Sequence, residues 1–184
     1  MKVLPITRKD AEPFIMNIHY AHRMPSISFA FGLFDNEELV GICTFGKPAS
    51  PFLCMGICGK HNSKFVWELN RLVLKYNKPN QASFFISRCL KLLPSPMIIV
   101  SYADTAQSHV GTVYKASNFY FTGTTKERTD MASNSGKHSR HHLGDRTNRV
   151  VRSAKHRFIK FVGNKKEKKL FLKDLRYKII SIQN

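Results

Sequence analysis

Residues 97–123, "MIIVSYADTAQSHVGTVYKASNFYFTG", constrain the fold most, because an apolar run gives way to a polar, helix-compatible stretch and then to a second aromatic run. The segment 97–102 reads as a buried strand, 105–117 as a helix and 119–123 as another strand. Such a crossover commits the chain to a sheet with a helix packed against it. The remaining elements fit that plan. A helix is expected over 10–23, with Asp10 as N-cap, Pro13 in the first turn, and Phe14, Ile15, Ile18 and His19 at helical spacing. The run 28–46 reads as a hairpin turning at "DNEE". In "FVWELNRLVL" (65–74), Val66, Glu68, Asn70 and Leu72 alternate with Phe65, Trp67, Leu69, Arg71 and Val73, the pattern of a strand with polar side chains aimed into a site. Residues 79–93 form an apolar-faced helix. The order is helix, hairpin, strand, helix, strand, helix, strand, an α/β (α+β) arrangement with no internal repeat.

With 184 residues, 42% of them hydrophobic, the chain can bury one good core and is short for two full domains. Its 30 Lys and Arg against 12 Asp and Glu leave a net charge of +18, which favours a polyanionic partner. Residues 124–184 hold 17 basic and 5 acidic side chains, so the binding surface is mostly C-terminal. The chain therefore divides into a core, 1–123, and a basic extension, 124–184, that completes the same domain. Within the extension, 124–149 is polar and periodless, a mobile basic loop suited to ordering on nucleic acid. The stretch 152–163 alternates Phe158, Phe161 and Val162 with Arg157 and Lys160, which predicts a strand. The stretch 166–180 places Leu170, Leu172 and Leu175 on one face of a short helix. Arg149, Arg152, Lys155, His156 and Arg157 are the expected phosphate contacts.

No run approaches the roughly 18 to 20 apolar residues of a membrane span, and the N-terminus lacks the apolar stretch of a secretory signal, so a cytoplasmic location is expected and no membrane partner. Cys43, Cys54, Cys58 and Cys89 sit among apolar residues and read as reduced, packed thiols. Cys54, Cys58 and His61 resemble half a zinc site, but no second ligand pair follows at finger-like spacing. Asp104 followed by Gln107 makes a capping box as readily as a reactive group. His109 reads as a packed or hydrogen-bonded side chain, and Glu68 as structural.

The element order is the ground plan of the Gcn5-related acyltransferase fold, a central mixed sheet flanked by helices. "NKPNQAS" (77–83) stands where that family holds the coenzyme A pyrophosphate on backbone amides and a helix N-terminus, with Asn80 in place of the usual glycine. The resemblance implies donor contacts at Asn80, Gln81, Ala82 and Ser83, where unsatisfied N–H groups and the positive helix end remain available. "VYKASNF" (113–119) resembles the family's tyrosine motif, in which a left-handed residue, here Asn118, ends the helix and Tyr114 protonates the leaving thiolate.

"NIHYAHRMPS" (17–26), "WELNRLVL" (67–74), "SFFIS" (83–87), the crossover 101–123 and "SAKHRFIKFVGNKKEKK" (153–169) together resemble the Mom DNA-modification proteins of phages. The resemblance implies conversion of adenine in double-stranded DNA to N6-carbamoylmethyladenine, which shields phage DNA from host restriction. It implies Fe(2+) held by His19, Tyr20, Asp104 and Tyr114, and activity carried by Arg71 and by Ser83 or Ser87. An unbroken helix would hold Asp104 and Tyr114 about 15 Å apart, so one ion reaches both only if Asp104 precedes the helix. The implied partners are double-stranded DNA and an acyl donor, acetyl-CoA in the family, with a second copy of the chain as a further candidate. One acetyl transfer leaves no amide nitrogen in the product. A glycyl donor such as glycyl-tRNA supplies it: N6 attacks the glycyl carbonyl, the glycyl amine then attacks C6, and the original N6 departs as the carboxamide.

Overall fold

The computed structural model describes residues 1–131 and 149–180. Seven strands form one sheet in the order β1-β2-β3-β4-β5-β9-β6. They are β1 (Lys2–Pro5), β2 (Phe29–Asp35), β3 (Glu38–Gly46), β4 (Val66–Leu74), β5 (Met97–Asp104), β6 (Tyr120–Thr124) and β9 (Lys155–Val162). Only β4 and β5 run parallel; every other neighbouring pair is antiparallel. The short strands β7 (Arg128–Met131) and β8 (Arg149–Arg152) pair as a separate ribbon. The helices are α1 (Arg8–Pro13), α2 (Pro51–Asn62), α3 (Gln81–Leu92), α4 (Thr112–Ala116) and α5 (Lys165–Asp174). None is long and apolar enough to cross a membrane among the described residues.

Helices cover both faces of the sheet, which is why β5 is almost wholly buried. On one face α3 supplies Phe85, Ile86, Cys89 and Leu90 to a core with Phe31, Leu33, Cys43, Phe45, Leu69, Ile99 and Phe158, and α4 adds Tyr114. On the other face α2 and α5 bury Ile57 and Phe171 against Val66, Ile98, Val100 and Ile159. There α1 and the turn after it pack Ala11, Phe14 and Ile15 on Ile42 and Val73.

A bulge in β4 decides which side chains share a face. The β3–β4 register steps from Phe45↔Leu69 to Thr44↔Arg71, leaving Asn70 as the extra residue. Arg71 and Val73 therefore join Val66 and Glu68 on the face of α1 and α2, whereas simple alternation put Arg71 opposite Glu68. The β4–β5 ladder ends at Leu69↔Ser101, yet β4 runs on to Leu74 and β5 to Asp104. Beyond that point the two parallel strands part and open a wedge.

Several expected boundaries move. The first helix is capped by Thr7, not Asp10; Asp10 is the reciprocal partner of the capping box, with its carboxylate accepting from the Thr7 N–H at 2.8 Å. The chain then enters a single π-helical turn, Phe14–Ile18, and leaves helical geometry at His19. The crossover is not one helix. Thr105–Gln107 make a 3₁₀ turn, Ser108 and Gly111 adopt left-handed backbone, and α4 starts only at Thr112. Gly111 (φ +75) lies so close to Phe158 that a Cβ there would sit 2.2 Å from its Cζ. Part of the expected loop 124–149 is strand, β7, paired to β8; 132–148 lie outside the described residues. In α5 the buried side chain is Phe171, while Leu170 and Leu172 are half-exposed and Leu175 follows the helix. No pattern of the sequence had marked β1 or α2. The four cysteines are free and buried, and Cys58 donates its S–H to the Phe171 carbonyl rather than facing the exposed His61.

Candidate active site

The parting of β4 and β5 brings together side chains from five segments. From the α3 and α4 face comes Tyr114, wedged against Phe119 and Phe158 with ring centroids 5.5 and 5.2 Å away, its hydroxyl facing Ser101. The tyrosine motif is borne out in backbone terms: Asn118 takes the left-handed cap at φ +57. Burial pushes the Tyr114 phenol up to about 12, so it holds its proton at neutral pH. Ser101 contributes the other way, donating its hydroxyl to the Leu69 carbonyl at 3.0 Å just where the ladder ends.

The opposite face carries a polar group. Glu68, from β4, has its carboxyl pushed up to about 7 by burial, against the pull of Arg71 and Lys155. Arg71 donates Nη1 to the Asn70 carbonyl at 2.6 Å and Nη2 to the Arg23 carbonyl at 2.8 Å, while its Nε is buried without a hydrogen-bond partner. His19 stacks on Tyr20 at 4.4 Å, and Tyr20 meets His109 edge-on at 5.8 Å, so His109 belongs to this group. Burial, then Arg71 and the two nearby histidines, push the His19 imidazole down to about 4, leaving it neutral. Burial and the facing Asp104 carboxylate raise the Tyr20 phenol, against Arg71.

Asp104 is the last residue of β5 and does precede the helix. Burial alone would raise its carboxyl, but Lys155, Ser153 at 2.5 Å and the Ala106 N–H at 3.1 Å hold it below the usual carboxylate range. It works as a clasp between β5, the turn after it and the β8–β9 connection. These bonds argue against the four expected iron ligands as one set. Both Asp104 oxygens are engaged, and Tyr114 reaches the wedge from the other face. The His19 Nδ1 accepts from the Ala21 N–H at 3.0 Å, which places its proton on Nε2, the nitrogen a metal would need. Among the described residues no three His, Cys, Asp or Glu side chains gather at metal spacing.

The donor loop keeps part of its expected chemistry. Asn80 adopts left-handed backbone (φ +60) at the start of α3 with no side chain capping the helix end, and the amides of Ala82 and Ser83 lie in its first turn. This end of α3 lies beyond β4, on the side where the wedge opens. Gln81 is turned inward, its N–H on the Lys78 carbonyl and its buried Oε1 without a partner. Ser83 donates to the Asn80 carbonyl at 3.1 Å. Ser87 is exposed one turn further along α3, away from the wedge.

Of the five expected phosphate contacts, only Arg149 is openly exposed. Arg157 donates to the Thr122 hydroxyl and carbonyl at 3.0 and 2.8 Å and lies 3.4 Å over the Tyr177 ring. His156 contacts the Thr124 hydroxyl at 2.8 Å, and Lys155 pairs with Asp104. Arg152 lies 3.5 Å from Asp130. Strand β9 runs through the sheet, so its cations are spent on holding neighbours. Glu68 and Arg23 are the residues that sequence reasoning passed over. A carboxylate two and three residues before Asn70 and Arg71, in a strand flanked by apolar residues, was the available signal for the first.

Solved structures of similar fold include several acetyltransferases. An acetyltransferase of the GNAT family from Bacillus cereus matches with a TM-score of 0.51 at 12% identity, covering 89% of this chain and 98% of that one. Arabidopsis thaliana NAA60 in complex with acetyl-CoA matches at 0.53 and 14%, covering 88% and 98%. The aminoglycoside 6'-N-acetyltransferase of Enterococcus faecium matches at 0.53 and 12%, covering 90% and 99%. They show a GNAT fold. In sequence, 120 residues are 32% identical to the methylcarbamoylase mom of Escherichia phage Mu, covering 62% of this chain and only half the length of that relative. The Mom protein family matches residues 1–181, nearly end to end, and the chain belongs to that family.

Proposed function

We propose that this chain is a transferase that modifies adenine N6 in double-stranded phage DNA to N6-carbamoylmethyladenine, protecting the DNA from host restriction. One observation carries the reading: Tyr114 on one face of the sheet and Glu68 with Arg71 on the other meet at the β4–β5 wedge. This separates a donor side from an acceptor side. The phage relative named methylcarbamoylase and the net charge of +18 support DNA as the acceptor.

On the donor side, the uncapped end of α3 at Asn80, Ala82 and Ser83 fits the pyrophosphate of an acyl-CoA, and the acetyl-CoA complex among the fold neighbours supports that class. Bound there, an acyl thioester supplies the acyl carbon and a thiolate leaving group. With a glycyl group, the glycyl amine then attacks C6 and the original N6 departs from C6 as the carboxamide, which gives the carbamoylmethyl product without a redox step, whereas an acetyl group alone stops at N6-acetyladenine. Tyr114, protonated at neutral pH, gives its hydroxyl proton to the departing sulfur. On the acceptor side the target base must leave the stack, at a cost of a few kcal/mol. The half-exposed Tyr20, stacked on His19, offers it an aromatic platform. Glu68, poised near 7, takes the proton that N6 loses on attack.

Nucleoside mass spectrometry of plasmid from expressing cells tests this. The wild-type chain should yield a new modified adenosine, and Tyr114→Phe should lower its rate of formation by about a hundred- to ten-thousand-fold. A wild-type chain that leaves DNA adenine unmodified overturns the proposal. Feeding glycine labelled with carbon-13 at both carbons identifies the donor. A two-carbon mass increase in the modified base supports a glycyl donor, and its absence, with protein glycine labelled, rules that donor out.

A further inference from the structure

Three arginines from three separate segments crowd beside the acceptor face. Arg71 comes from β4 after the bulge, Arg23 from the segment between the π-helical turn and β2, and Arg152 from β8. Arg71 is tied to the Arg23 backbone at 2.8 Å. Burial first and then the charge of Arg152 disfavour the charge on Arg23, while Asp130 favours it. Arg152 is 3.5 Å from Asp130, an ion-pair distance rather than a hydrogen bond. The buried Nε of Arg152 is the atom that faces the Asp130 carboxylate, and the Nε of Arg71 is buried without a hydrogen-bond partner. Buried donors are seldom left so. Three guanidinium charges against the Asp130 carboxylate leave an excess of positive charge, which an anion with several acceptor oxygens offsets, and a phosphodiester is that anion.

We propose that Arg23, Arg71 and Arg152 form a phosphate site that grips the DNA backbone next to the base presented to Glu68. The inference rests on the acceptor face being the DNA side. Its place excludes the phosphates of an acyl-CoA as the natural occupant, because those belong at the α3 end on the other face of the sheet.

Fluorescence anisotropy of the full chain with a labelled duplex, over a series of salt concentrations, tests it. For Arg23→Ala the slope of log affinity against log salt should shrink by about one, the loss of one phosphate contact, and Arg23→Lys should restore it. Acetyl-CoA affinity should not change. Arg23→Gln, checked by thermal melting, gives the same comparison if the alanine variant folds poorly. An unchanged slope with wild-type DNA binding intact overturns this site alone, as does a fall in acetyl-CoA affinity without a change of slope. A wild-type chain that binds no duplex overturns the proposed function and this site with it.

Discussion

Glu68 shows how much one residue's surroundings decide. Its carboxyl, ordinarily titrating at 4.5, is pushed up to about 7 by burial. As the proton acceptor it must be ionised, so the single-turnover rate should rise about tenfold per pH unit up to about pH 7 and then level. Glu68→Gln should lower the rate and flatten that limb. A rising limb that survives in the variant removes Glu68 from the mechanism. Stability must move the other way. The folded state holds this proton more tightly than the unfolded state, so the contribution of Glu68 is full below 4.5 and is lost as pH rises through about 7. Melting curves should therefore show Glu68→Gln more stable than wild type at about pH 8, with the gap closing at about pH 5. Tyr114 was legible in the sequence because its motif is local. Glu68 was not, because the bulge that sets it beside Arg71 is a property of strand pairing.

At the scale of elements, the broken crossover between β5 and β6 matters most. A helix over 105–117 would have pointed Asp104 and Tyr114 along one axis, whereas the turns at Ser108 and Gly111 let each serve a different face. Gly111→Ala meets two penalties, a left-handed backbone and a Cβ 2.2 Å from Phe158. Together they should cost about 2–4 kcal/mol, read as a lower midpoint in urea unfolding. A midpoint equal to wild type means Phe158 yields easily and the break has another cause. The helix at the other end of the site was easier to foresee. The apolar face of α3 is written in its period, and its N-terminus follows from Asn80, a residue that tolerates left-handed backbone.

For the whole molecule, the basic extension is part of the frame. Strand β9 lies between β5 and β6 and pairs with β5 along all eight residues of Met97–Asp104. Phe158, Ile159 and Phe161 fill both cores. Truncation after residue 148 should thus leave a chain without cooperative unfolding by circular dichroism. A truncated chain that melts cooperatively makes the extension a separable module. The same placement explains why three of the expected phosphate contacts, Lys155, His156 and Arg157, meet protein partners. Charge density in sequence marks the region as basic, but alternation along a strand whose edges are both paired turns Lys155 and Arg157 to internal partners.

The sequence by itself determined the mixed α/β class, the hairpin, the central strands, the tyrosine cap and the strong net positive charge, since each depends on a few neighbouring residues or on summed charge. Tertiary structure alone decided which polar groups meet. A single extra residue at Asn70 rotated Arg71 onto the face of Glu68, and the long return of β9 placed Lys155 on Asp104. Contacts between residues far apart in the chain depend on register and on which strands lie side by side, and no local pattern encodes either.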